Sequence, residues 1–180
     1  TSVNDKVFAT QPVVTIQDAD NNTVADSTAT VTLTSSNATL GGTLLNSAVA
    51  MDAVAGVANF AGKNVKLIGT IGSKNLTATI AGGITLTNIV TVTAGAATKL
   101  AIVQQAAGAV NAVAFTTQPQ VVFQDVSGNT VDTTDSIDVA SSGATLSGAT
   151  SVAAVAGKTT FTNLKLTGTI GTYVLTFSSG

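Results

Sequence analysis

The chain has no cysteine, histidine, tryptophan, arginine or glutamate, and only two prolines and one tyrosine. Its 7 cations are all lysine and its 9 anions all aspartate. Without histidine or cysteine there is no His-based triad, no thiolate nucleophile and no ordinary zinc site. Without arginine there is no bidentate fork for phosphate or guanine, and a net charge of -2 supplies no basic field, which argues against a nucleic-acid partner. The lack of cysteine also excludes disulfides, so the redox compartment is not legible from them. Charged residues make up 9% and hydrophobic residues 44%, the reverse of a disordered composition. Thr1 does not open a basic segment followed by an apolar one, so no signal peptide is read there. Two long uncharged stretches, residues 75–98 and 100–124, are interrupted by Thr, Asn, Gln and Gly, which argues against helical membrane insertion.

What is present is repetition. Phe8-Ala9-Thr10-Gln11-Pro12-Val13-Val14-Thr15-Ile16-Gln17-Asp18 returns 107 residues later as Phe115-Thr116-Thr117-Gln118-Pro119-Gln120-Val121-Val122-Phe123-Gln124-Asp125. The match continues through Asn22-Thr23-Val24 and Asn129-Thr130-Val131, Ala53-Val54-Ala55-Gly56 and Ala154-Val155-Ala156-Gly157, and Gly69-Thr70-Ile71-Gly72 and Gly168-Thr169-Ile170-Gly171. The offset slides from 107 to 101 and 99, so the second copy carries small deletions, expected at turns. A period of this size predicts two tandem whole domains and not a short-repeat solenoid.

Within each copy the apolar period is two. Ala29, Val31 and Leu33 alternate with threonines, and Ile84, Leu86, Val90 and Val92 share one parity while Thr85, Thr87, Thr91 and Thr93 share the other. This places the aliphatic residues on a buried face and the threonines on a solvated one. Sustained helical periodicity is absent, and the chain reads as all-β. Strands are expected over residues 13–18, 29–35, 43–54, 57–68, 74–80 and 84–93 in the first copy. In the second they are expected over 99–105, 120–125, 135–140, 150–155, 159–166 and 172–178. Turns are expected at Asp20-Asn21-Asn22, Gly41-Gly42, Ala55-Gly56, 69–72 and Gly82-Gly83. Short strands between Gly turns predict a sandwich or barrel.

The phase of the repeat leaves each copy one strand short. Thr1 corresponds to Gly108, so the first copy has no counterpart of 97–107; Gly180 corresponds to Ala81, so the second has none of 84–93. Excision from a longer array accounts for this. So does strand donation between neighbouring molecules, because an unpaired apolar edge is otherwise an aggregation hazard.

Gln17-Asp18-x-x-x-Asn22-x-Val24, and more closely Gln124-Asp125-Val126-Ser127-Gly128-Asn129-Thr130-Val131, resembles the V-x-D-x-x-G-N-x-V pattern of bacterial immunoglobulin-like domains, the repeats of invasin- and intimin-type adhesins and other large surface proteins. Ala154-Val155-Ala156-Gly157 and Gly171-Thr172-Tyr173-Val174-Leu175-Thr176 fit the same family. The resemblance covers essentially all of both copies. It implies two tandem immunoglobulin-like β-sandwiches, 1–96 without the N-terminal strand and 97–180 without the C-terminal one. It also implies that Tyr173 forms a tyrosine corner, with Lys74 closing the first copy differently.

Asp18-x-Asp20-x-Asn22 admits two readings, a turn capped by its own side chains or a calcium loop with oxygen ligands at alternate positions. It lacks the downstream bidentate glutamate of an EF-hand, and the second copy offers only Asp125, Ser127 and Asn129. Asp132, Asp135 and Asp138 have no cationic or nucleophilic partner nearby in sequence, which reads as solvated loop and strand start. Asn21, Asn37 and Asn75 stand in N-x-Thr sequons. Pro12 and Pro119 each precede a strand, where a fixed φ and a missing donor are tolerated. Phe8 and Phe115 are expected to anchor the domain junction or the sandwich end.

The sequence therefore predicts no enzyme and no cofactor apart from the calcium reading. The expected role is a structural segment of a secreted or cell-surface bacterial protein, an adhesin stalk, sheath or surface-layer-type array. The alternative is a subunit of a self-assembling extracellular filament completed by strand donation. Expected partners are neighbouring immunoglobulin-like repeats or copies of the chain itself, with a host or cell-surface ligand compatible but not specified.

Overall fold

A computed structural model describes residues 1–36, 38–41 and 49–180. The expected turn residue Gly42, the first half of the expected strand over 43–54 and the sequon at Asn37 lie outside the described residues. The described residues form an all-β structure without helix, and no helix is long and apolar enough to cross a membrane. The chain divides into two compact units, Thr1–Gly95 and Ala96–Gly180.

The first unit contains β1 (Ser2–Val3), β2 (Val13–Thr15), β3 (Thr30–Ser36), β4 (Thr39–Gly41), β5 (Val49–Asp52), β6 (Val57–Asn59), β7 (Lys66–Ile68), β8 (Gly72–Thr79) and β9 (Thr85–Thr93). Its main sheet runs β1-β9-β8-β3-β5, with smaller pairs β2-β6 and β4-β7. All its pairings are antiparallel except β1 against β9, where Ser2 lies opposite Val92 and Val3 opposite Thr93. Val31, Leu33, Val49, Ala58, Phe60, Val65 and Leu67 form the buried centre. The inward parity of Val31 and Leu33 follows the threonine alternation of β3, since a side-chain period of two puts one set on the core.

The second unit contains β10 (Lys99–Gln104), β11 (Gln120–Gln124), β12 (Ser136–Ser141), β13 (Thr145–Ser147), β14 (Ser151–Ala153), β15 (Lys158–Thr160), β16 (Lys165–Thr167) and β17 (Leu175–Ser178). Its sheets run β10-β11-β15, β14-β12-β17 and β13-β16, all antiparallel. Its core is built on Phe115, Val121, Phe123, Ile137, Phe161 and Leu164, with the Phe161 and Phe177 rings 5.4 Å apart and tilted by 53°. One core per unit, closed by several sheets, is consistent with a β-sandwich.

Three expectations need correction. The strands expected over 57–68 and 159–166 are each two strands, β6 with β7 and β15 with β16. The backbone turns between them through positive φ, at Gly62 and Asn64 in the first unit and at Asn163 in the second. A left-handed residue does not fit a continuous ladder. The short strands β1, β4 and β13 were not anticipated, because two or three residues carry no periodicity. The third correction concerns β9. Ile84 and Leu86 share the expected inward parity with Val92, yet they are 66% and 64% exposed while Val92 is buried. Alternation sets the face of a side chain, and burial requires a layer opposite that face.

Candidate functional site

The repeated loop after β2 and β11 is held by one carboxylate in each unit. In the first, Asp18 Oδ1 accepts from the N–H groups of Asp20 and Asn22, both at 2.9 Å, and Asn22 Nδ2 donates to Oδ2 at 3.2 Å. In the second, Asp125 Oδ1 accepts from Ser127 N at 3.0 Å and Asn129 N at 2.9 Å, while Asn129 Nδ2 donates to Oδ2 at 2.9 Å. The third loop residue takes a left-handed φ in both, 67° at Asn21 and 85° at Gly128, where Asn and Gly are tolerated best. The bonds from Asn22, backbone first and side chain second, hold the Asp18 carboxyl below its ordinary value, with Asp20 N adding to them and desolvation opposing them. Of the proposed calcium ligands, Asp18 and Asn22 thus bond to each other. Among the described residues no group of three or more Asp, Glu, His or Cys side chains gathers as a metal would require. The geometry is that of a self-capped turn.

The Gln-Pro pair plays a part that the sequence reading assigned only to its proline. Gln11 Oε1 accepts from Val65 N at 2.8 Å, and its Nε2 donates to Phe8 O at 3.0 Å. Gln118 repeats this with Leu164 N at 3.0 Å and Phe115 O at 3.0 Å. The amide therefore serves as a strand partner for a backbone that would otherwise lack one. Recurrence of Gln at both positions was the available signal. Pro12 and Pro119 use only their carbonyls, accepting from Phe60 N at 3.0 Å and Phe161 N at 3.1 Å. Phe8 packs against the core of the first unit and Phe115 lies within that of the second, so each anchors its own interior.

Tyr173 donates its hydroxyl to Thr169 O at 2.6 Å, four residues upstream. Lys74, the matching residue of the first unit, is buried and donates Nζ to Thr70 Oγ1 at 2.8 Å across the same spacing. The acidic residues around the start of β12 bond locally, Thr133 Oγ1 to Asp135 Oδ2 at 2.7 Å, and assemble no reaction centre.

A concave feature of the described residues lies in the first unit. A cavity of about 640 Å³ lies between β2 and β9, lined by Phe8, Val14, Leu33, Leu76, Ala78 and Leu86 among others. Its lining is mixed, with these aliphatic and aromatic residues beside Ser2, Lys6, Thr10 and Asn88. The exposed Leu86 and Val13 sit on its rim. The part lined by Val14, Leu33, Leu76, Ala78 and Leu86 suits apolar side chains.

No protein-family model matches the sequence, and no curated protein matches it significantly. Among solved structures, the chain is similar to the apo structure of Bacteroides uniformis β-glucuronidase 3, at 16% identity and a TM-score of 0.29, over 92% of this chain and 20% of that one. The chain thus spans about a fifth of that protein's length.

Proposed function

We propose that the chain is a structural segment of a secreted or cell-surface bacterial protein, made of two tandem immunoglobulin-like sandwiches that act as a stalk, sheath or surface-layer-type array. The observation that carries this reading is the whole-domain repeat in its three-dimensional form. The two units match in the self-capped Asp turn, the Gln staple, the Ala-Gly hairpin and the pairing of β3 with β8 and β12 with β17. The immunoglobulin-like assignment is supported by two further features: β1 runs parallel to the last strand β9, and Tyr173 bonds to backbone upstream of its strand. A tandem of such units, in which no polar reaction centre gathers among the described residues, serves extension better than chemistry, since inter-strand hydrogen bonds resist load.

Single-molecule stretching of the 180-residue chain tests the reading. Two successive unfolding events are expected, each lengthening the chain by roughly 300 Å at ~3.3–3.6 Å per residue. A single event, or extension without force peaks, would overturn it. The second reading, a filament subunit completed by strands donated between copies, shares the open groove beside β2 but needs a donor other than the already paired β10.

A further inference from the structure

The two units differ at one equivalent edge, and the filled edge shows what the open one accepts. In the second unit β10 lies antiparallel along β11, with Leu100 opposite Phe123, Ala101 opposite Val122 and Ile102 opposite Val121. Leu100 packs on the core, Val121 is fully buried and Phe123 nearly so. In the first unit, β2 pairs with β6 on one side, and no strand of the described residues lies along the other. Val14 and Ile16, the counterparts of Val121 and Phe123, are only half-buried.

The backbone agrees with the side chains. Ile16 N donates to Gly56 O at 2.8 Å and Phe60 N to Pro12 O at 3.0 Å, so the ladder uses the even-numbered residues toward β6. Val13 and Thr15 therefore turn their N–H and C=O groups to the open edge. Their counterparts Gln120 and Val122 face β10, where Thr98 N also donates to Gln124 O at 2.8 Å. The cavity beside β2 is bounded across by Leu86 and Val90 of β9 and floored by Leu33, Leu76 and Ala78. The exposure of Leu86 on an inward-facing parity follows from the same gap.

We infer that this groove is a strand-acceptor site, filled by an extended segment of the β10 pattern that belongs to a neighbouring repeat and pairs antiparallel with β2. By the repeat register, a leucine in the Leu100 position faces Ile16 and an isoleucine in the Ile102 position faces Val14. The occupant is not β10 of a second copy, because that strand is already paired with β11 and its withdrawal opens an equal gap. The identity of the donor as a neighbouring repeat rests on the array reading above; the acceptor character of the groove rests on the geometry alone.

The test grafts residues 98–107 directly ahead of Thr1 in the full chain, which reproduces the register because Thr1 corresponds to Gly108. Amide hydrogen exchange is then read residue by residue. The expected result is slowing at Val13 and Thr15 of about 100-fold, as for amides moved from a frayed edge into a ladder, and a higher melting temperature for the first unit. A control graft with Leu100→Asp and Ile102→Asp in the added copy is expected to exchange like the parent. Unchanged exchange in the apolar graft overturns the proposal. So does concentration-dependent protection of Val13 and Thr15 in the ungrafted parent, which would make a second copy the occupant. The stretching experiment reads the array model separately, so the failure of one is distinguishable from the failure of the other.

Discussion

The first unit is closed beside β8 and open beside β2; the second is closed beside β11 and open beside β17. In the first, β9 pairs with β8 over eight registered positions from Gly72–Val92 to Thr79–Thr85. In the second, β17 pairs only with β12 and is an edge of its sheet. Between them the two units display each of the two outer strands once, and each strand's effect on its neighbours can be read against a unit without it. Paired edges bury the apolar residues that face them; unpaired edges leave the same sequence positions half-covered. The lesson is that exposed aliphatic residues in β9 report an incomplete layer and not a misread strand.

The comparison breaks most readily at the Ala-Gly hairpins. Both residues of each loop have positive φ, 50° and 77° at Ala55 and Gly56, 49° and 76° at Ala156 and Gly157, as a two-residue type I′ turn demands. A Cβ on Gly157 would stand 1.9 Å from Val131 O, and on Gly56 2.4 Å from Val24 O. Gly157→Ala is expected to cost about 3 kcal/mol or more, and Gly56→Ala somewhat less, from strain together with a backbone clash. Denaturant unfolding of each variant checks the order, and equal losses would show that both turns relax alike.

The glutamine staples come next. Gln118→Ala and Gln11→Ala each leave a backbone N–H, at Leu164 or Val65, without its amide partner, with an expected loss of about 1–3 kcal/mol in the unit concerned. The melts of the two variants provide the measurement, and an unchanged midpoint in either would show that its staple is dispensable.

A smaller effect distinguishes the two interiors. Thr159 is fully buried with no partner for Oγ1 among the described residues, while its counterpart Ala58 is equally buried and carries no hydroxyl. Thr159→Val is expected to stabilise the second unit by about 1 kcal/mol, since it removes an unsatisfied polar group at nearly constant shape. A destabilised variant in thermal melting would overturn this.

The smallest effect is the pH response of Asp18. Its folded value lies below the ordinary 3.8, so the bonds from Asn22 and Asp20 contribute stability that is present above 3.8 and lost as pH falls through the lower folded value. Acid titration of the first unit should show this loss, and Asp18→Asn should remove it. Millimolar calcium is expected to leave the melting midpoint unchanged, because the carboxylate already accepts from the N–H groups of its own turn.

Much of the fold was legible in the residues. The threonine alternation of β3 predicted its face, the Asp-to-Asn loop its capped turn, and Ala-Gly its hairpin, because each depends on a few neighbouring positions. The interruptions between β6 and β7 and between β15 and β16 were less visible. Asn64 and Asn163 take a left-handed φ that asparagine tolerates but does not dictate. The Gln11 and Gln118 staples escaped because their backbone partners lie 54 and 46 residues away.

By itself, the sequence determined the all-β character, the phase of the repeat and the places where the chain must turn, all consequences of local sterics and side-chain period. The tertiary structure decided which alternating faces are covered. Leu86 and Val92 sit on the same face of one strand, and one is exposed while the other is buried. Burial belongs to what stands opposite a residue, and in the first unit no strand among the described residues pairs with the outer edge of β2.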